Sequence, residues 1–215
     1  MHTRSLTLTA LLFLACAAPK PVATNPATAG AAAALTDADR ESAVKYMEET
    51  RSAFLASLDG LSEAQYRFKP APDRWSVAEV AEHIAVSEAT LFGMVSEKML
   101  KQPAPPELLS QINHDDARLR TLVVDRTTKR QAPEMLQPSG RFPSIDAVKQ
   151  AFGQSRDKTV EFVKTTQLNL RSYAGPHPLL GPLDGYQWMI LVSAHTARHT
   201  AQIQEVKAAA NFPKK

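Results

Sequence analysis

Cysteine is almost missing from this chain. Cys16 stands alone, ahead of every segment with helical patterning. One thiol excludes a disulfide framework and any Cys-x-x-Cys motif, and it leaves residues 35–215 without a thiol nucleophile. Acidic residues are absent before residue 35, where Arg4 and Lys20 are the only charged side chains. Setting those two aside leaves 23 of the 25 basic residues against 22 acidic ones, so the pI near 9.0 misleads. A near-neutral body with 7% aromatics and no basic, aromatic-interleaved stripe gives no electrostatic reason to expect nucleic-acid binding. No uninterrupted apolar run reaches the roughly 18 residues that a membrane-spanning helix needs. What remains, 44% hydrophobic and 22% charged over 215 residues, suits one globular domain with a real core.

The beginning of the chain reads as an export signal over residues 1–16. Arg4 supplies a charged n-region and Leu6 to Ala15 a short apolar h-region. Phe13-Leu14-Ala15-Cys16 resembles a bacterial lipobox, with Phe13 where leucine is commonest, and would make Cys16 a lipidated first mature residue. The alternative is an ordinary secretory signal with Cys16 incidental. Residues 17–35, rich in Ala, Pro and Thr, read as a flexible tether. The expected location is therefore the periplasmic or cell-envelope side, with a lipid anchor as membrane tether.

Residues 36–210 carry four amphipathic patterns, followed by a short tail at 211–215. The first helix is expected from Asp37 to Leu58, capped by Thr36 and stopped by Gly60, with Val44, Met47, Phe54, Leu55 and Leu58 along one stripe. Ser76-Val-Ala-Glu79 is a capping box that opens the second helix, in which Val80, His83, Ile84, Ser87, Leu91 and Met94 share a face up to Lys101. The third runs from Ile145 to about Thr165 behind Ser144. The fourth follows the cap Asp184 and continues to about Ala210. Two long connections separate them. Residues 102–143, bounded by prolines, hold a candidate short helix at 107–119 and read as a lid or rim; Leu168 to Leu183 reads as a loop with turns at Gly175 and Gly181. Four such patterns with long second and third connections describe an all-α four-helix bundle.

The last helix carries His195-Thr-Ala-Arg-His199-Thr-Ala-Gln202. Histidines four apart lie on one helical face, the spacing that lets two imidazoles meet a common cation. His83, on the apolar face of the second helix, is the candidate third ligand. In a bundle, metal sites are built from inward side chains of facing helices, so the three rings can converge if those helices are neighbours. Gln202 and Glu79 are candidates for the hydrogen bonds that orient ligating histidines, although the capping box also claims Glu79. Glu82 and Arg198 flank the ligands at off-face positions and read as surface charge. His114 reads as solvent-facing, and His177 as structural or exposed.

Trp75-Ser-Val-Ala-Glu-Val-Ala-Glu-His83, then His177-Pro-Leu-Leu-Gly-Pro-Leu-Asp-Gly-Tyr-Gln-Trp188, then His195-x-x-x-His199-x-x-Gln202, together resemble DinB-like four-helix-bundle proteins over residues 37–210. That resemblance implies an up-down-down-up bundle, often dimeric. It also implies a metal triad at His83, His195 and His199 holding a divalent ion: Zn, Ni, Fe or Mn, which the donor set does not separate. Three neutral imidazoles leave such an ion its full charge and open positions, the arrangement of a catalytic site. The expected activity is hydrolysis or nucleophilic transfer on an unknown small molecule. The competing readings are a metal-binding or stress-related module without catalysis, and an interaction protein whose histidines are core residues. The last requires His83 to lie far from the other two.

Overall fold

The computed structural model describes residues 35–214. The expected signal, Cys16 and the tether up to residue 34 lie outside the described residues. Four helices of similar length dominate: α1 (Asp37–Ser57), α3 (Val77–Glu97), α6 (Ile145–Thr165) and α7 (Gly185–Lys207). Their starts follow from local chemistry. Thr36, Ser76 and Asp184 each close a reciprocal capping box with Asp39, Glu79 and Gln187, and Ser144 caps α6 through the amide of Ala147. Between them lie α2 (Glu63–Arg67), α4 (Pro106–Leu109) and α5 (Asp116–Val124). A hairpin, β1 (Ala174–His177) with β2 (Gly181–Asp184), leads into α7.

Two core clusters fix the direction of each helix. One joins Phe54 of α1 and its C-cap Leu58, Val77, Val80, Ala81, Ile84 and Ala85 of α3, Val148 and Phe152 of α6, and Ile203 and Val206 of α7. The other joins Ala43 and Met47, Val95, Val160 and Val163, and Trp188 to Leu191. The end of α1, the starts of α3 and α6, and the end of α7 therefore share one end of the bundle. The order is up-down-down-up. α7 packs against both α1 and α3, and so does α6.

Because α3 and α6 run in the same direction, the chain between them must climb back the length of the bundle, about 30 Å for some 20 helical residues. Residues 98–144 do this along the outside of α7, where α5 packs. The single short helix expected at 107–119 is instead α4 and α5, separated by Asn113 and capped afresh by Asp115, which accepts from the amide of Arg118. The stretch 121–124 is helical. Glu82 and Arg198, expected as surface charge, both hold this connection down. Glu82 is buried and accepts from the amides of Ser139 (2.7 Å), Gly140 (2.9 Å) and Arg141 (3.2 Å). Arg198 donates to the carbonyls of Val123 (3.3 Å), Asp125 and Thr128 (3.2 Å).

The second connection also departs from a plain loop. Ala174 pairs with Asp184 and His177 with Gly181, whose φ of +77° suits only a residue without a β-carbon. Gly185 must also lack one, because a β-carbon there would stand 2.8 Å from the carbonyl of Leu170. His114, expected in solvent, is half-exposed and bonds through Nδ1 to the buried carboxylate of Asp184 at 3.0 Å. Helix α7 ends at Lys207 rather than near Ala210. Beyond it Phe212 packs edge-on to Phe68 and Pro213 accepts from Gln65.

At the centre of the bundle lies a buried ion pair that the apolar stripes did not announce. Arg156 of α6 meets Glu88 of α3 through two contacts of 2.7 and 2.8 Å. Arg156 also donates to the Met47 carbonyl (2.5 Å) and the Thr50 hydroxyl (2.8 Å) of α1, and to the Thr196 hydroxyl of α7 at 3.0 Å. All four helices converge on this one guanidinium.

Candidate metal centre

The antiparallel contact of α3 and α7 brings His83, His195 and His199 together, with one candidate ligand atom from each ring lying within 4.8 Å of the others. The ring centroids of His83 stand 5.0 Å from His195 and 4.4 Å from His199, and those of His195 and His199 are 4.4 Å apart. The reading that kept His83 remote from the other two does not survive these distances. His83 is buried with Trp75 against it at 5.1 Å, and His195 and His199 are part-buried.

The closest approach is between His83 Nε2 and His199 Nε2, at 3.2 Å. Two rings can sit so close as an N–H···N hydrogen bond or as two ligands of one cation. The other nitrogens decide between them. His83 Nδ1 stands 2.8 Å from the Leu136 carbonyl, which can only accept, so the proton is on Nδ1. His199 Nδ1 stands 2.8 Å from Gln202 Oε1. That amide is oriented by Arg126, a pure donor, whose Nη1 reaches the same Oε1 at 3.3 Å, so His199 also carries its proton on Nδ1. Both Nε2 atoms then present lone pairs to each other, and neither can donate. A shared cation resolves this, and nitrogens about 2.0–2.1 Å from one ion stand at about this separation.

Burial keeps all three rings neutral and ready to ligate. It lowers the pKa of His83, and it lowers that of His195 well below the ordinary value with help from the neighbouring rings. Burial first and His83 second bring His199 down to about 3. The sign for the metal-free chain follows. Below the ordinary imidazole value of 6.5, the unfolded chain takes up protons that the folded chain refuses. Stability is complete above that value and falls as pH drops through it toward about 3, where His199 titrates in the folded chain. The thermal midpoint of chelator-treated protein should therefore fall between about pH 7.5 and about pH 5, and a His83→Ala, His199→Ala double variant should lose the part of that slope that these two rings carry. Equal slopes in the two proteins would dismiss His83 and His199 as its source.

Gln202 sits at the second nitrogen of His199. Glu79 does not occupy that position at His83: its carboxylate accepts from the amide of Ser76 at 2.7 Å and from Lys69 at 2.9 Å, and the Leu136 carbonyl fills the place. His177 is part-buried in the hairpin, its Nδ1 accepting from the amides of Leu179 and Leu180, with its ring 5.6 Å from Trp188. Sequence reasoning missed two participants. The Leu136 carbonyl carries no side-chain signal, and Arg126 belongs to the connection that showed no periodicity.

The fold and this group of side chains define the class: a four-helix bundle with a three-histidine cluster able to hold a divalent ion. The chain belongs to the DinB superfamily, whose family model matches residues 46–203. It is 27% identical over 159 residues to the uncharacterized protein YuaE of Bacillus subtilis strain 168, covering 74% of this chain and 93% of that one. Among solved structures it is similar to YfiT from Bacillus subtilis, described as a probable metal-dependent hydrolase with an unusual four-helix bundle topology. That match has 12% identity and a TM-score of 0.52, and covers 83% of this chain and 91% of YfiT. TT2238, a four-helix bundle protein, matches at 23% identity and a TM-score of 0.48 over 77% and 98% of the two chains. At 12% identity the likeness to YfiT is one of fold.

Proposed function

We propose that the protein is a metal-dependent enzyme that uses His83, His195 and His199 to hold a divalent ion and acts on a small molecule by hydrolysis or nucleophilic transfer. The observation that carries this reading is the pair of Nε2 lone pairs held 3.2 Å apart by acceptors on both second nitrogens. When bound, such an ion supplies a Lewis acid and lowers the pKa of bound water to about 7. The protein's own contribution is preorganisation. Leu136 and Gln202 fix the tautomers, Arg126 fixes Gln202, and Trp75 packs against the His83 ring. YfiT's description as a probable metal-dependent hydrolase agrees in kind. We place the protein on the outer side of the inner membrane, tethered through Cys16, on the layout of residues 1–16; among the described residues no helix is long and apolar enough to cross a membrane.

A second reading is metal binding without catalysis. It needs only the three convergent histidines and no substrate cleft beside them. Elemental analysis of the purified full chain, as isolated and after reconstitution with Zn, Ni, Fe or Mn, tests both. About one ion per chain is expected. No ion after any reconstitution sinks both readings, and bound ion without turnover across ester, amide and phosphoester panels leaves the second.

A further inference from the structure

We propose that Glu205 is a positioning residue for the three-histidine site: acting through Arg126 and Gln202, it keeps the proton of His199 on Nδ1 and leaves Nε2 free to ligate. The proposal deepens the metal reading and rests on it for the purpose of the arrangement.

Glu205 is linked to the site through an unbroken chain of contacts. Its carboxylate accepts both prongs of the Arg126 guanidinium, from Nε at 2.7 Å and from Nη2 at 2.9 Å. Arg126 Nη1 donates to Gln202 Oε1 at 3.3 Å, and the same oxygen stands 2.8 Å from His199 Nδ1. His199, Gln202 and Glu205 follow one another three residues apart on α7, so each is the neighbour of the last on the helix surface. Arg126 comes from the connection that climbs outside that helix.

The relay is needed because Gln202 alone cannot choose. A glutamine amide turned over exchanges its oxygen for its NH2 with almost no change of shape. Turned over here, it would donate to His199 Nδ1 and drive the ring proton to Nε2, where it would point at His83 Nε2, 3.2 Å away. Arg126 removes that choice, because a guanidinium only donates and so meets the amide in one orientation. The guanidinium needs a hold of its own. Arg198 bonds the carbonyls of Asp125 and Thr128, which fixes the chain on either side of Arg126 but leaves its side chain free to swing. The two-pronged pair with Glu205 sets the plane of the guanidinium and aims Nη1 at Gln202. Arg74 adds only a longer contact to Glu205, at 3.7 Å.

An ion pair that only pinned the connection to α7 would make the same contacts, so the test reads the tautomer. The full chain, metal-free and labelled with nitrogen-15 in its histidines, is observed by NMR at about pH 8, above the ordinary imidazole range. Nitrogen shifts separate a protonated ring nitrogen from a bare one, and the His199 signals are identified by their loss in His199→Ala. The parent should carry the His199 proton on Nδ1 alone. Glu205→Gln sets an NH2 against one prong of Arg126, and Arg126→Lys has no fork to divide between Glu205 and Gln202. Both variants should share the proton between the two nitrogens and bind zinc about three- to tenfold more weakly, less than the loss of a ligand's direct outer hydrogen bond. Asp157→Asn, which removes the ion pair of α6 with Arg51 of α1, is the control and should change neither property. One unchanged tautomer in parent and both variants overturns the relay and leaves Glu205 a pin, and a shifted tautomer with unchanged zinc affinity overturns it too. If the chain takes up no zinc, the metal reading fails separately and the metal-free spectra decide the relay: a shared proton in both variants supports it, and an unmoved one overturns it.

Discussion

Arg156→Met is expected to lower the thermal midpoint by about 10 °C or more, and adding Glu88→Leu to restore most of the loss. Removing one member of a buried, hydrogen-bonded pair leaves an uncompensated charge and costs about 3–5 kcal/mol, which in a domain of this size is worth about 2–4 °C for each kcal/mol. Both side chains are fully enclosed, with Arg156 at 0% and Glu88 at 1% exposure, so solvent cannot rescue the survivor. The double variant escapes because the remaining hydroxyls keep local partners. Thr50 donates to the Met47 carbonyl, Thr159 to that of Ser155 and Thr196 to that of Val192. Replacing a buried pair by apolar groups of similar volume is often neutral or stabilising. Thermal denaturation of the three metal-free proteins gives the answer. A single variant within a degree or two of the parent would show that the pair adds nothing, and a double variant as unstable as the single would show that its value is geometric.

The long helices were legible because caps and periodicity agree there. Thr36, Ser76, Ser144 and Asp184 each stand just before an amphipathic stripe, and each is an N-cap in the structure. The histidines were legible as a spacing, His195 and His199 on one face and His83 on another apolar face. The central pair had a signal that went unread: Glu88 falls four after Ile84, and Arg156 four after Phe152, so both lie on buried stripes where a charge demands a partner. The connection 98–144 was opaque for a different reason. Its course is set by backbone carbonyls and amides bound to Arg198 and Glu82, and backbone groups are identical at every position. For the same reason no residue type could single out Leu136, which acts on His83 through its carbonyl oxygen alone.

His199→Ala should abolish stoichiometric metal binding, and Gln202→Leu should weaken it about 10- to 100-fold while leaving the fold intact, the usual scale for losing a ligand's outer hydrogen bond. The two act differently. Without His199 only two imidazoles remain, and two rarely hold a divalent ion. Without Gln202 the three rings stay, but His199 is free to move its proton from Nδ1 to Nε2, where it can donate to His83 across the 3.2 Å gap. That internal hydrogen bond competes with the metal, so the metal-free Gln202→Leu protein should gain back some stability as it loses affinity. Metal should raise the midpoint of the parent, since an ion at about 1,000 times its dissociation constant stabilises by about 4 kcal/mol, and should leave that of His199→Ala unmoved. It should also slow amide exchange over residues 134–141, because ligation holds the His83 ring whose Nδ1 grips Leu136. Elemental analysis, thermal midpoints with and without added metal, and exchange rates read the three consequences independently. Retention of a full equivalent of metal by His199→Ala would end the case for this cluster, whereas loss of metal in His199→Ala with unchanged affinity in Gln202→Leu would keep the ligands and discard the tautomer argument.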